Sequence, residues 1–319
     1  MNLERPSAEK IRQLLNSPHD PGMEFIASPD QYEKEVLNGY TMTVFKYGFE
    51  FDNWCPPKLA ELTCIIGHTN VGKTTVILWL LAKLVRLKRR VLIYSAENRI
   101  SNIHKQLVRF VTGHENVSME DIETVRPFVR YIKHEKHFSY RDMLNQATYL
   151  LDAEFDFDFF LIDPYNSLRI DGKGLNTHDY HYQAAQEMRI FTTTTNKSIF
   201  LNCHTVTEAQ RVKPDQNGHR PAPLDSDVEG GGKFPNTADN TIVLHRQISS
   251  VIDGEKFITE LHVRKVRNQE FGGEPTPFTE PVRVKFRINR TGFDYIPRHN
   301  SAIDYKQIQF ADDNEYKKW

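Results

Sequence analysis

The sequence predicts an α/β fold with a mostly parallel central sheet and an antiparallel C-terminal extension. Two observations carry this expectation. Between residues 59 and 202, short apolar runs alternate with longer amphipathic stretches, as in strands joined by crossover helices. After residue 202 the helical stretches stop and only strand-like runs remain.

The elements follow in chain order. Residues 1–37 are polar, carry Pro6, Pro18, Pro21 and Pro29, and read as an arm or linker with one short helix over 31–37. They hold too few apolar residues for a core of their own. Buried strands are expected at 62–66, 91–94, 129–132, 159–162 and 198–202, and helices at 74–87, 100–112, 140–153 and 178–196. The last helix carries four consecutive β-branched residues, Thr192 to Thr195, which lower its propensity. Residues 205–236 are rich in Pro, Gly and charge and read as an extended surface loop. Strand-like runs at 241–245, 259–266 and 282–288 form the expected antiparallel extension, and residues 299–319 read as a polar tail.

Composition bounds the class. The 319 residues suit one large domain with appendages or two small domains. With 41 Lys and Arg against 42 Asp and Glu, the net charge of −1 excludes a generally basic coat for gripping nucleic acid, though local patches stay open. Only Cys55, Cys64 and Cys203 occur, without paired spacing, which excludes a disulfide framework and a Cys-rich zinc module. The longest apolar run, 76–82, is far too short to span a bilayer, and the N-terminus lacks a secretory core. A soluble, reduced, cytoplasmic protein with no membrane partner is expected.

Residues 67–74, GHTNVGKT, fit the phosphate-loop pattern G-x-x-x-x-G-K-[ST] without a mismatch. They sit directly after the first apolar strand and directly before an amphipathic helix, the context this chemistry needs. Gly67 and Gly72 let the backbone of Thr69, Asn70 and Val71 wrap phosphates at a helix N-terminus, with Thr75 following in the first turn. Lys73 would neutralise phosphate charge, and the Thr74 hydroxyl would ligate Mg²⁺. ATP and Mg²⁺ are therefore the expected ligands. Asp163, closing the apolar run 159–162, reads as the second metal-holding group at the strand's C-terminal edge. Glu97 ends the 91–94 strand, expected to lie next to the phosphate loop. It reads equally as a general base or as a charge opening the next helix.

Taken in order, these motifs resemble the RecA-fold hexameric helicases of the DnaB, Twinkle and phage primase-helicase group. The resemblance covers about residues 38–298, which it delimits as one RecA-like ATPase domain. It rests on Ala96-Glu97-Asn98 followed by Phe110-Val111-Thr112-Gly113, on 160–168 with Pro164-Tyr165-Asn166, on 198–204, and on 263–268. The resemblance implies that Glu97 is the general base. It also implies that His204, at a strand end, senses the γ-phosphate, although a lone histidine is more often a satisfied polar residue. Lys265 and Arg267 are similar to a Lys-x-Arg finger that enters the neighbouring subunit's site; read alone, they are a solvated strand edge. Residues 282–286 and 290–294 look like the family's final hairpin.

The same resemblance implies that loop 205–236 lines a central channel and holds single-stranded DNA, through Arg211, Lys213 and Lys233. The acids Glu208, Asp215, Asp225, Asp227 and Glu229 support a plain solvated loop instead. No primase, zinc module or helical collar is recognisable. The chain is a stand-alone motor core, a part of something larger, or a partner of a separate primase or loader. Two functions are carried forward. The first is an ATP-dependent hexameric DNA helicase translocating on single-stranded DNA during replication, with ATP hydrolysed between subunits and the arm packed on a neighbour. The second is a RecA-fold regulatory or DNA-binding ATPase that switches assembly with nucleotide and does not unwind.

Overall fold

A computed structural model of the chain describes residues 29–297 apart from 154, 173 and 175. The expectations for residues 1–28 and for the tail 299–319 lie outside the described residues. Nine strands form one sheet: β1 Leu62–Gly67, β2 Val91–Ser95, β3 Val129–Ile132, β4 Phe159–Asp163, β5 Ser198–His204, β6 Asn240–His245, β7 Ile258–Val266, β8 Val282–Phe286 and β9 Phe293–Ile296. Their order across the sheet is β3-β2-β4-β5-β1-β6-β7-β8-β9. The helices are α1 Pro29–Asn38, α2 Lys73–Arg86, α3 Ile100–Thr112, α4 Met119–Val125, α5 Tyr140–Asp152, α6 Thr177–Thr195, α7 Thr207–Gln210 and α8 Lys233–Thr237.

The central strands are apolar at nearly every position because both faces of the sheet are covered. One face packs α2 and α3 with Ile77, Leu78, Leu81, Leu107 and Phe110 against Ile65, Ile93 and Leu161. The other packs α5 and α6 with Met143, Leu144, Ala184, Met188 and Phe191 against Ile66, Tyr94, Ile162 and Leu201. Each such buried side chain contributes roughly 1.5–3 kcal/mol. Aromatic residues ahead of β1 also enter this core. Tyr47 and Phe51 are buried, and Phe49 lies 5.0 Å from the Trp79 ring.

Local chemistry sets the helix limits. Ser139 and Asp142 exchange side-chain and backbone bonds in a capping box that opens α5, and Asn176 accepts from the Asp179 N–H to open α6. Thr192 and Thr195 stay helical because they are buried and return their hydroxyls to Arg189 O and Phe191 O. Asn196, in the left-handed region at φ 56°, then ends the helix.

Three expectations need correction. Strand β6 is not part of the antiparallel extension: it pairs parallel with β1, Thr63 opposite Asn240, so only β7, β8 and β9 are antiparallel. Two parallel strands need a crossover from one sheet edge to the other. Residues 205–239 are that crossover and not a free surface loop, anchored by fully buried Val228 and Phe234. Finally, β2 does not adjoin the phosphate-loop strand, since β4 and β5 lie between them.

Candidate nucleotide site

The parallel strands end on one edge of the sheet, and the register brings the candidate residues together there. Gly67 lies opposite His204 on β5, and Ser95 lies opposite Asp163 on β4. Gly67 has no room for a side chain, because a Cβ would stand 2.5 Å from Leu244 O on β6. Gly72, at φ 89°, turns the chain into α2 through the left-handed region that glycine enters freely.

Lys73 lies almost wholly inside this loop, donating to Gly67 O at 2.8 Å and His68 O at 2.9 Å. Burial pulls its pKa down to about 8, against the opposing pull of Asp163 and Glu97. The Thr74 hydroxyl donates to Asp163 Oδ2 at 3.0 Å. Asp163 is fully buried and also accepts from Asn202 Nδ2 and, at 3.3 Å, from Ser95 Oγ. Burial pushes its pKa up, while the Asn202 and Thr74 bonds work against that shift.

His204 Nε2 stands 3.4 Å from Glu97 Oε1, so β2 supplies a carboxylate to the site even though it is not the neighbouring strand. Burial first and the Lys73 charge second hold His204 below the ordinary histidine value, leaving it neutral at pH 7. The Asn166 side chain accepts from the His204 N–H at 2.8 Å, and His68 Nδ1 meets Thr205 Oγ1 at 2.9 Å. Arg246 reaches over the loop from the end of β6 and donates to Asn70 O at 2.6 Å. Asn202, Ser95, Asn166 and Arg246 were not singled out from the sequence. The one available signal was that Asn202 stands two residues before His204 on a strand already expected.

This arrangement has counterparts among solved structures. A helicase ATPase domain matches with a TM-score of 0.62 at 15% identity, over 86% of this chain and 99% of that one. A DnaB-like replicative helicase, described with its interactions with primase, matches with a TM-score of 0.60 at 15% identity, over 89% of this chain and 70% of that one. The chain has the fold of a DnaB-type helicase ATPase domain. No protein-family model matches the sequence, and no curated protein matches it. At this identity the likeness is one of fold.

Within this DnaB-type fold, Lys265 and Arg267 stand apart from the phosphate loop. Val266 lies opposite Asn240, which lies opposite Thr63, four residues before Gly67. Four strand residues put the pair about 13 Å along the sheet from the loop, towards the opposite edge. Lys265 Nζ donates to Pro235 O and Asn236 O, both at 2.8 Å, at the C-terminal end of α8. Arg267 donates to Thr237 O at 3.2 Å and stands 3.4 Å from Asp239 Oδ1. Arg211 and Lys213 are exposed beyond α7, and the Lys233 ammonium lies 4.9 Å from the centre of the Tyr182 ring.

The donor set suits Mg²⁺. A buried carboxylate paired with a hydroxyl offers hard oxygens, and the ion takes its remaining ligands from water and substrate phosphates. Among the described residues no group of three or more His, Cys, Asp or Glu forms an all-protein cage, and Mg²⁺ does not rely on one. Among them, too, no helix is long and apolar enough to cross a membrane.

Proposed function

We propose that the chain is an ATP-dependent DNA helicase that assembles as a ring, by resemblance a hexamer, and translocates on single-stranded DNA during replication. The observation that carries this reading is a divided set of charges. Lys73, Thr74, Glu97, Asp163 and His204 share one sheet edge, while Lys265 and Arg267 lie out of their reach. A cation pair so far from its own phosphate loop fits a site completed by a neighbouring copy.

In this reading Gly67, Thr69, Asn70, Val71, Gly72 and Thr75 surround the phosphates, and Lys73 takes up their charge. Thr74 and Asp163 would hold Mg²⁺, which when bound neutralises charge on the phosphate oxygens. Glu97 orients the attacking water and accepts its proton. His204, neutral and hydrogen-bonded through its backbone to Asn166, offers a ring N–H to the γ-phosphate. Its carbonyl accepts from the Glu229 N–H, and Thr205 bridges Val228, so movement at the strand end passes directly into the crossover. Arg211, Lys213 and Lys233 on that crossover are the proposed DNA contacts. Arg267 and Lys265 of the next copy stabilise the charge that develops during hydrolysis. Since one structural neighbour interacts with primase, a separate primase or loader is a proposed partner.

Strand displacement on a forked duplex tests the reading. Displacement that requires ATP and is lost in Lys73→Ala supports it. ATPase stimulated by DNA without displacement would overturn it in favour of an ATPase that switches assembly.

A further inference from the structure

Asp239 sits immediately before β6, at the sheet edge opposite the phosphate loop, with only 4% of its side chain exposed. Three groups converge on its carboxylate. The Leu62 N–H donates to Oδ2 at 3.0 Å, which ties that oxygen to the first residue of the phosphate-loop strand. Arg189 Nε, from α6, donates to Oδ1 at 3.2 Å. Arg267 Nε stands 3.4 Å from the same Oδ1. The Arg267 backbone N–H also donates to Asp239 O at 2.9 Å, and Arg267 Nη2 donates to Thr237 O.

An arginine on a sheet edge is ordinarily spread over many rotamers. Here the guanidinium is gripped along its inner side, through Nε and one terminal nitrogen, and remains a third exposed. Its other N–H groups form the planar fork that suits a phosphate. One carboxylate also faces two guanidiniums, so the cluster keeps a positive charge and is not neutralised by its own counterion. We infer that Asp239 is a positioning residue: it holds Arg267 in the orientation that meets the phosphate of a neighbouring copy. The inference rests on the proposed role of Arg267 in a neighbour's site.

Mixing experiments with the full chain separate the two ideas. Asp239→Asn keeps an oxygen for the Leu62 N–H but removes the charge that orients Arg267. The ATPase kcat of Asp239→Asn should fall on the order of 10²-fold, as for a small misplacement of a catalytic group. KM should stay near that of the unaltered protein, because the contact acts in the transition state. Adding Asp239→Asn to Arg267→Ala should cause no further loss, since both act through one guanidinium.

The defect should also lie in the neighbour. Asp239→Asn subunits retain a complete phosphate site, so mixing them with Lys73→Ala subunits, which retain Arg267, should restore activity. That rescue would also establish that the variant folds. If Arg267→Ala is rescued and Asp239→Asn is not, or if Asp239→Asn keeps full activity, Asp239 does not position Arg267. If Arg267→Ala itself is not rescued, the neighbouring-site reading fails, and the positioning role falls with it.

Discussion

Lys73 carries its charge into a buried loop where its ammonium donates to the carbonyls of Gly67 and His68, and its pKa falls to about 8 from an ordinary 10.5. Between those values the unfolded chain binds more protons than the folded one, so this residue adds stability as pH rises through the window. Nucleotide acts in the other direction. Bound phosphate restores the charged form and raises the pKa, so binding takes up a proton. Affinity should therefore be flat below about 8 and weaken as pH rises above it. Calorimetric titration in two buffers of different ionisation enthalpy reads that proton directly. No uptake above the folded pKa, or the same uptake in Lys73→Met, would sink the assignment. The phosphate-loop residues were legible because pattern, strand and helix coincide within one short stretch. Asn202, Ser95 and Asp239 were not, because their roles come from strand register and from partners 39, 68 and 177 residues away along the chain.

At the scale of elements, apolar runs located most strands to within a residue or two, because strands buried on both faces leave few polar positions. Direction was harder to read. Strand β6 looks like β7 in composition, and only its pairing with β1 makes it parallel and turns residues 205–239 into a crossover. The crossover is held at its middle by a small lobe. His219 Nε2 meets Glu255 Oε2 at 2.6 Å, Ser250 Oγ donates to the same carboxylate, and the Val251 N–H donates to Asn217 O at 3.0 Å. Gly218 makes the contact close, since a Cβ there would stand 2.0 Å from Ser249 O in a backbone of φ 79°. Gly218→Ala should cost about 1–2 kcal/mol from the left-handed backbone alone, before any clash is relieved. Hydrogen exchange should rise in residues 215–220 and 249–252 while the sheet stays protected. An unchanged melting temperature and exchange pattern would mean that the lobe does not depend on this contact.

For the whole molecule, a net charge of −1 argues against a surface that grips DNA everywhere, yet it agrees with a ring. A ring keeps its outside neutral and repeats a few basic residues from each copy around one channel. Such a ring needs an adhesive surface, and α1 provides one. Val36 and Leu37, near its C-terminal end, are 79% and 84% exposed, unlike the apolar residues of α2 and α3 that cover the sheet. Covering each by a neighbouring copy would contribute about 1.5–3 kcal/mol per side chain, repeated at every interface. Replacing both by serine should therefore lower the assembled mass measured by light scattering with an ATP analogue present. The same change should leave the melting temperature of the dissociated chain within experimental scatter, because neither side chain is buried in the single copy. ATPase should fall with the mass, since Arg267 reaches a phosphate only in the assembly. Full mass and full ATPase in the double serine variant would show that subunits meet through another surface.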